Sequence, residues 1–197
     1  NDWTPVNTPT DTADTPTTIY PTWNPLSIQG TNPVASNGNL TLTAGSGAGY
    51  GQMYATQKIP TTGKWGVYLK IVSGVSGLFA FCDFPIWKWN GAGNCHASQI
   101  PSDTKIYVGY AGTEGIAYAF NTGTATTSTS VTIAANDEFE ILIDRDAGTM
   151  IWKQNASTIA TRTGVPATNE LFFVASGYNS AVRLIDFGQT SYVPSDS

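Results

Sequence analysis

The sequence is poor in charge. Charged residues make up 12% of its 197 residues, about half of the roughly 25% that is usual in globular proteins. The net charge is −5 and the first lysine is Lys58, so no basic face is available to nucleic acid or anionic lipid. No apolar run approaches the roughly 20 residues that span a bilayer. We therefore expect neither a nucleic-acid partner nor membrane insertion.

Cysteine and histidine are also scarce. Cys82 and Cys95 are too few for a disulfide scaffold, and their spacing lacks the close pairs of structural zinc sites. They form either a disulfide, adding roughly 3 kcal/mol by chain entropy, or two reduced thiols, and the sequence leaves both open. His96 is the only histidine, and no Gly-Xaa-Ser-Xaa-Gly motif occurs. We expect no catalytic residue, no metal and no cofactor.

Composition divides the chain into three parts. Residues 1–25 are dense in Thr, Pro and Asp, which predicts an extended linker or docking arm. Residues 26–194 are expected to form one domain, and residues 195–197 a tail. The chain begins at Asn1 without an initiator methionine, and we expect a fragment or a processed form.

Alternation of apolar and polar residues recurs along the domain. It predicts strands at 63–72, 77–82, 105–111, 115–120, 130–135, 138–144, 149–154, 171–176 and 181–187. Eight to twelve short strands without long crossovers indicate an all-β sandwich of two antiparallel sheets. The residues expected in its core are Trp65, Val67, Leu69, Phe139, Ile141, Ile143 and Leu184.

The stretch "EILIDRDAGTMIWKQN" (140–155) places Asp144 and Asp146 close to Gly148. A calcium loop of the EF-hand type needs glycine at its sixth position and Glu at its twelfth, whereas these positions hold Thr149 and Asn155. A hairpin turn needs Asp early and glycine in the left-handed conformation. We therefore predict a turn, with a positive φ at Gly148 and no bound metal.

Three motifs in order resemble the SPRY family. They are Gly63-Lys64-Trp65, the hairpin 143–149, and the closing stretch 186–189, "DFGQ". The resemblance covers roughly residues 60–193 and implies a bent, concanavalin-like two-sheet sandwich that commonly serves as a protein–protein adaptor. The sequence departs from the family pattern at Gly66, where an aromatic residue is preferred, at Ala156, where Gly is preferred, and at Asp186, where Asn is usual.

The upstream stretches "DTPTTIYPTWNPL" and "SNGNLTLTAGS" are similar to SPRY-type modules in bacteriophage tail and other virion proteins. This resemblance implies a non-catalytic structural and recognition module of a virion, assembled in the host cytoplasm. It would be displayed at the surface, as on a tail fibre, and would attach to a host glycan or surface protein. The alternative is an adaptor that joins other virion proteins, and a homo-oligomer stays open.

Glu138 and Glu140 lie two residues apart in a predicted strand, so they share a face. A retaining glycosidase needs two carboxyl groups about 5 Å apart on one wall of a groove. The sequence lacks the strand pattern of the lectin-like glycosidases, and fold analogy alone is weak support. We predict that both glutamates lie on the solvated face, opposite the buried side chains of the strand.

The stretch "CDFPIWKWNGAGNCHASQIPSD" (82–103) is too aromatic for an ordinary loop. Long loops in compact domains are usually functional, and tryptophan faces stack on sugar rings or on protein. Alternatively, these aromatic residues cover a sheet or contact a neighbouring subunit. The candidate ligand-binding residues are Phe84, Trp87, Trp89, Asn90 and His96, together with Tyr178 and Asn179 in the short turn 176–181.

Overall fold

The computed structural model describes residues 20–188, apart from residues 31, 47–48, 83–105, 112–115, 122–123, 166 and 169. These residues form strands and one short 3-10 turn, Pro25–Ser27, and none of their helices is long and apolar enough to cross a membrane. The strands are β1 (Gln29–Gly30), β2 (Val34–Ser36), β3 (Thr41–Thr43), β4 (Tyr50–Ile59), β5 (Lys64–Ser73), β6 (Leu78–Cys82), β7 (Ile106–Ala111), β8 (Ile116–Asn121), β9 (Thr124–Ser130), β10 (Glu138–Asp144), β11 (Thr149–Gln154), β12 (Ser157–Thr163), β13 (Leu171–Tyr178) and β14 (Val182–Asp186).

The strands form two antiparallel sheets, which confirms the predicted sandwich. The first sheet has the order β1-β4-β13-β6-β7-β8-β9, and the second has the order β12-β11-β10-β5-β14-β3-β2. Neighbours in each sheet often lie far apart in sequence: β5 lies between β10 and β14. The second sheet therefore brings residues 64–73, 138–144 and 182–186 side by side.

The core lies between the two sheets. Val67 and Leu69 of β5, and Phe139, Ile141 and Ile143 of β10, are all at most 2% exposed, as the alternation predicts. Aromatic rings connect the sheets across this core. The Phe79 ring of β6 lies 5.2 Å from the Trp152 ring of β11 and 4.9 Å from the Phe139 ring of β10.

The predicted burial of Trp65 and Leu184 is wrong. Trp65 is 42% exposed, because its ring turns back along its own chain and donates from Nε1 to the Thr62 carbonyl at 2.7 Å. Leu184 is only half-buried. It is paired with Lys70 on the outer face, whereas the next residue, Ile185, points into the core.

Several strand predictions also needed correction. The segment 130–135 is not a strand beyond Ser130, and its apolar Val131 and Ile133 pack on the core from an irregular segment. The alternation missed β4, whose residues 51–55 are all buried. It also missed the edge strands β9 and β12, because β9 is almost entirely Thr and Ser and β12 is largely solvated.

The hairpin between β10 and β11 forms as predicted. Asp144 is paired with Thr149, and residues 145–148 make the turn. Gly148 has φ 64°, the left-handed conformation that glycine adopts readily. Asp144 Oδ1 accepts hydrogen bonds from the backbone N–H groups of Asp146 and Ala147, at 3.0 and 2.8 Å.

Trp23 anchors the segment that precedes β1 to the core of the domain. This residue is fully buried in the core, although it precedes β1, and its ring lies 6.0 Å from that of Phe173. Its backbone N–H donates to the Asn39 carbonyl at 2.8 Å. The division into an arm at 1–25, a domain at 26–194 and a tail at 195–197 stays a prediction.

Candidate functional site

Four strands of the second sheet carry a row of polar side chains on the face that points away from the core. Asp186 of β14 is paired with Tyr68 of β5, Tyr68 with Glu140 of β10, and Glu140 with Lys153 of β11. Because successive residues of a strand point to opposite faces, the buried Leu69 beside Tyr68 fixes this row on the outside. We call these four residues the outer row.

Glu140 and Lys153 form a buried ion pair within the outer row. Their side chains approach to 3.8 Å between Oε2 and Nζ, and the residues are only 8% and 6% exposed. The prediction that Glu140 is solvated is therefore wrong, whereas Glu138 is exposed as expected. The reason is position: Glu140 lies on a central strand, flanked by the long side chains of Tyr68 and Lys153.

The neighbouring row holds a second, more exposed ion pair. Lys70 Nζ lies 3.2 Å from Glu138 Oε1, and these side chains are 34% and 48% exposed. Burial raises the pKa of the Tyr68 phenol far above its usual value, and a hydrogen bond to Glu138 and the negative charges of Glu138 and Asp186 raise it further. Tyr68 is thus a neutral hydroxyl in a negative environment.

A small pocket opens beside the outer row. Gly66 is paired with Leu142, and because Gly66 has no side chain, the outer face is indented between these residues and the outer row. The cavity has a volume of about 130 Å³. We call it the Gly66 pocket; its lining residues are Gly66, Val67, Tyr68, Glu140, Leu142, Asp186, Phe187 and Gly188.

Asp186 is held rigidly at the edge of the Gly66 pocket. It is 3% exposed, and its Oδ1 accepts a hydrogen bond from the Gly188 backbone N–H at 2.7 Å. Gly188 has φ 104°, and a Cβ there would lie 3.1 Å from Cε1 of Tyr20. The start of the described chain therefore adjoins the pocket.

The structure describes two of the seven ligand-binding residues predicted from the sequence, Tyr178 and Asn179. Tyr178 ends β13, is half-buried and packs on Tyr50 with the ring centres 5.0 Å apart. Asn179 is exposed at the following turn, with φ 49°. Neither residue lines the Gly66 pocket. The other five, Phe84, Trp87, Trp89, Asn90 and His96, lie outside the described residues and stay predictions.

The redox state of the cysteines is likewise a prediction. Cys82 is buried at the end of β6, with Sγ 3.8 Å from the Phe172 carbonyl oxygen. Cys95 lies outside the described residues.

Asp146 and Asp137, at opposite ends of the β10–β11 pair, have structural roles. Asp146 Oδ2 accepts a hydrogen bond from the Gly63 N–H at 3.1 Å, and so ties the turn to the start of β5. Asp137 accepts from the Ala134 N–H and from the side chains of Asn155 and Gln154. Within the part of the chain that the structure describes, no group of three or more His, Cys, Asp or Glu residues could hold a metal ion.

Three solved structures with a similar architecture are SPRY domains. The SPRY domain of human HERC1 matches with a TM-score of 0.61 and 20% identity, covering 85% of this chain and 99% of that one. The TRIM65 PSpry domain matches with 0.60 and 12%, covering 85% and 92%. A human SPRY domain matches with 0.58 and 13%, covering 80% and 96%. No protein-family model and no curated protein sequence matches the chain. The chain therefore has the SPRY fold.

Sequence reasoning did not identify the Gly66 pocket as a site. Two of its residues, Gly66 and Asp186, were noted only as departures from the SPRY pattern. They lie 120 positions apart in the sequence, and the register of β10, β5 and β14 brings them to one cavity. The departures were the available signal, and the pairing of the strands gives them a common location.

Proposed function

We propose that this domain is a non-catalytic recognition module that binds another protein through the outer face of its second sheet. The observation that carries the proposal is the Gly66 pocket, a concave site on the outer face of the sheet. The buried carboxylates of Glu140 and Asp186 lie at its edge. Concave sites with a few placed polar groups are typical of binding sites, and those for whole ligands measure about 300–1,000 Å³. At about 130 Å³ the Gly66 pocket matches a single side chain of a larger partner. The SPRY resemblance, which implies protein–protein interaction, supports the same function.

The arrangement of the carboxylates supports recognition rather than catalysis. Glu138 and Glu140 each have a lysine on an adjacent strand, at 3.2 and 3.8 Å. Each carboxylate is directed at a lysine, whereas a retaining glycosidase needs two carboxyl groups about 5 Å apart that both face the substrate. The outer row is therefore suited to positioning a partner.

The module belongs to a bacteriophage virion that is assembled in the host cytoplasm. Within the virion it binds another virion protein, or on the virion surface it binds a host surface protein. The Thr- and Pro-rich entry and the stretch 36–46 support this finer proposal through their similarity to virion modules. Mass spectrometry of purified particles tests the location: peptides of this chain at a fixed stoichiometry support it, and their absence contradicts it.

Parallel screens of a random peptide library and a glycan array test the binding function. We expect the full chain to enrich peptides that share a consensus, and the Gly66→Leu variant, whose new side chain fills the pocket, to lose them. Thr161→Leu on β12 is the control, since it adds an apolar side chain to an exposed position of the same sheet. Binding to glycans without any peptide binding would contradict the proposal and favour the predicted aromatic stretch 82–103 as the site.

A further inference from the structure

The walls of the Gly66 pocket are apolar and aromatic. Leu142 and the ring of Tyr68 line it, around a volume of about 130 Å³. Phe187 also belongs to the lining, but its ring packs on the core, 5.9 Å from the Phe173 ring. A water molecule occupies about 30 Å³ in the liquid, so the cavity has room for several heavy atoms. This shape suits the end of one long side chain.

The charged residues in the lining are both acidic. Glu140 and Asp186 are the charged members of the set, and both are less than a tenth exposed. Glu140 is already paired with Lys153 at 3.8 Å, so the inference rests on the carboxylate of Asp186. Burial is the main cause of the high pKa of Tyr68, and the charges of Glu138 and Asp186 add to it. A cationic group entering the pocket would meet a favourable field.

Among cations, arginine fits this combination best. Its planar guanidinium stacks on aromatic rings and donates hydrogen bonds in a fixed fork to carboxylates. Its methylene groups can contact apolar walls while the charge reaches the acidic edge. A calcium ion would instead need six to eight oxygen ligands, whereas the lining offers two carboxylates and a phenol.

Charge also argues against the chain's own arm as the occupant. Tyr20 adjoins Gly188 at the rim, and residues 1–19 precede it in the sequence. These residues include Asp2, Asp11 and Asp14 and contain no lysine or arginine. An acidic arm would be repelled by an acidic pocket.

We propose that the Gly66 pocket receives an arginine side chain from the protein that this domain binds. The inference rests on the proposed recognition function and adds the chemistry of the partner. Its structural basis is the juxtaposition of an absent side chain at Gly66, the ring of Tyr68 and the carboxylate of Asp186.

The test is a titration of the full chain, followed by amide chemical shifts, with N-acetyl-arginine amide. N-acetyl-citrulline amide is the matched neutral ligand, since it keeps the shape and removes the charge. We expect saturable shifts of the Gly66, Leu142 and Gly188 amides, with a Kd of about 1–10 mM for arginine. Citrulline should bind at least about tenfold more weakly.

Two variants locate the interaction. Asp186→Asn keeps the oxygen that accepts from Gly188 and removes the charge, so arginine binding should weaken about five- to tenfold while citrulline binding is unchanged. Gly66→Leu should abolish the shifts, and Thr161→Leu should preserve them. Thermal melting of each variant checks that it remains folded.

Several results would overturn the inference. One is the absence of saturable shifts at the pocket amides, whether because arginine does not bind or because another part of the chain occupies the pocket. Another is equal binding of arginine and citrulline. Peptides that bind the pocket without a basic residue would overturn the inference but leave the recognition function standing. A failure of the whole library to bind would instead contradict the recognition function itself.

Discussion

The Glu140–Lys153 pair allows a sharp test of how burial governs charge interactions on this sheet. Lys153→Met removes the cation and leaves the Glu140 carboxylate at 8% exposure. At 3.8 Å and an effective dielectric constant of about 20, the direct attraction is about 4 kcal/mol. Leaving a buried charge without its partner typically costs about 3–5 kcal/mol, so we expect a loss of about 3 kcal/mol in the free energy of unfolding.

The Lys70–Glu138 pair is the internal control. It lies one row away on the same face and has a shorter distance, 3.2 Å, but its side chains are 34% and 48% exposed. Distance alone predicts that this pair is the stronger. Burial predicts the reverse, because exposed pairs contribute only about 0.2–1 kcal/mol.

The measurement is a pair of double-mutant cycles by urea unfolding, with tryptophan fluorescence as the signal. The substitutions are Lys153→Met with Glu140→Gln, and Lys70→Met with Glu138→Gln. We expect a coupling energy of at least about 2 kcal/mol for the buried pair and below about 1 kcal/mol for the exposed one. In 1 M salt the exposed coupling should disappear and most of the buried coupling should remain. Equal couplings, or an unaffected Lys153→Met, would refute the reasoning.

Three further perturbations test other parts of the molecule. Gly148→Val should lower the free energy of unfolding by about 1–2 kcal/mol, because Gly148 has φ 64° and a Cβ there would lie 3.0 Å from the Val165 carbonyl oxygen. A melting temperature equal to that of the wild type would contradict the predicted turn. Burial alone would raise the pKa of Asp137, but hydrogen bonds lower it below its ordinary 3.8. The stabilisation that the Asp137 carboxylate provides is therefore present above pH 3.8 and is lost as the pH falls through the folded-state pKa. Asp137→Asn should flatten the acid-unfolding curve in that range, and an unchanged curve would contradict this prediction. Trp87→Ala and Trp89→Ala test the predicted aromatic stretch: reduced attachment to host cells with nearly unchanged melting would assign binding to it instead of the Gly66 pocket, and a loss of about 3–5 kcal/mol in each would assign both side chains to the core.

The strands that face the core on one side only were predictable. In β5 and β10 the alternation of apolar and polar residues is regular, because one face of each strand packs in the core and the other lies on the outside of the sheet. The same rule fails in β4, where Gly51 to Ala55 are all buried, and in β12, where Ser157 and Thr158 are both exposed. Period-two reasoning detects a difference between faces, so it cannot detect strands without one.

The candidate site depended on information that a single strand does not contain. Glu140 follows the polar phase of β10 and was therefore expected in water. Its burial depends on Tyr68 and Lys153, which come from strands on either side. The family resemblance predicted the fold that creates this neighbourhood, but it did not predict which outward positions would form a cavity.

The alternation in β5 and β10 has a consequence for how this protein can change. In residues 66–71 and 139–142, the core side chains occupy the odd-numbered positions, as at Leu69 and Ile141, and the outward side chains occupy the even-numbered ones, as at Gly66, Tyr68 and Leu142. Stability and partner choice therefore depend on different residues, which alternate along the same strands. A lineage could exchange its binding partner through outward substitutions while its interior stayed constant, and a designed library could use the same separation.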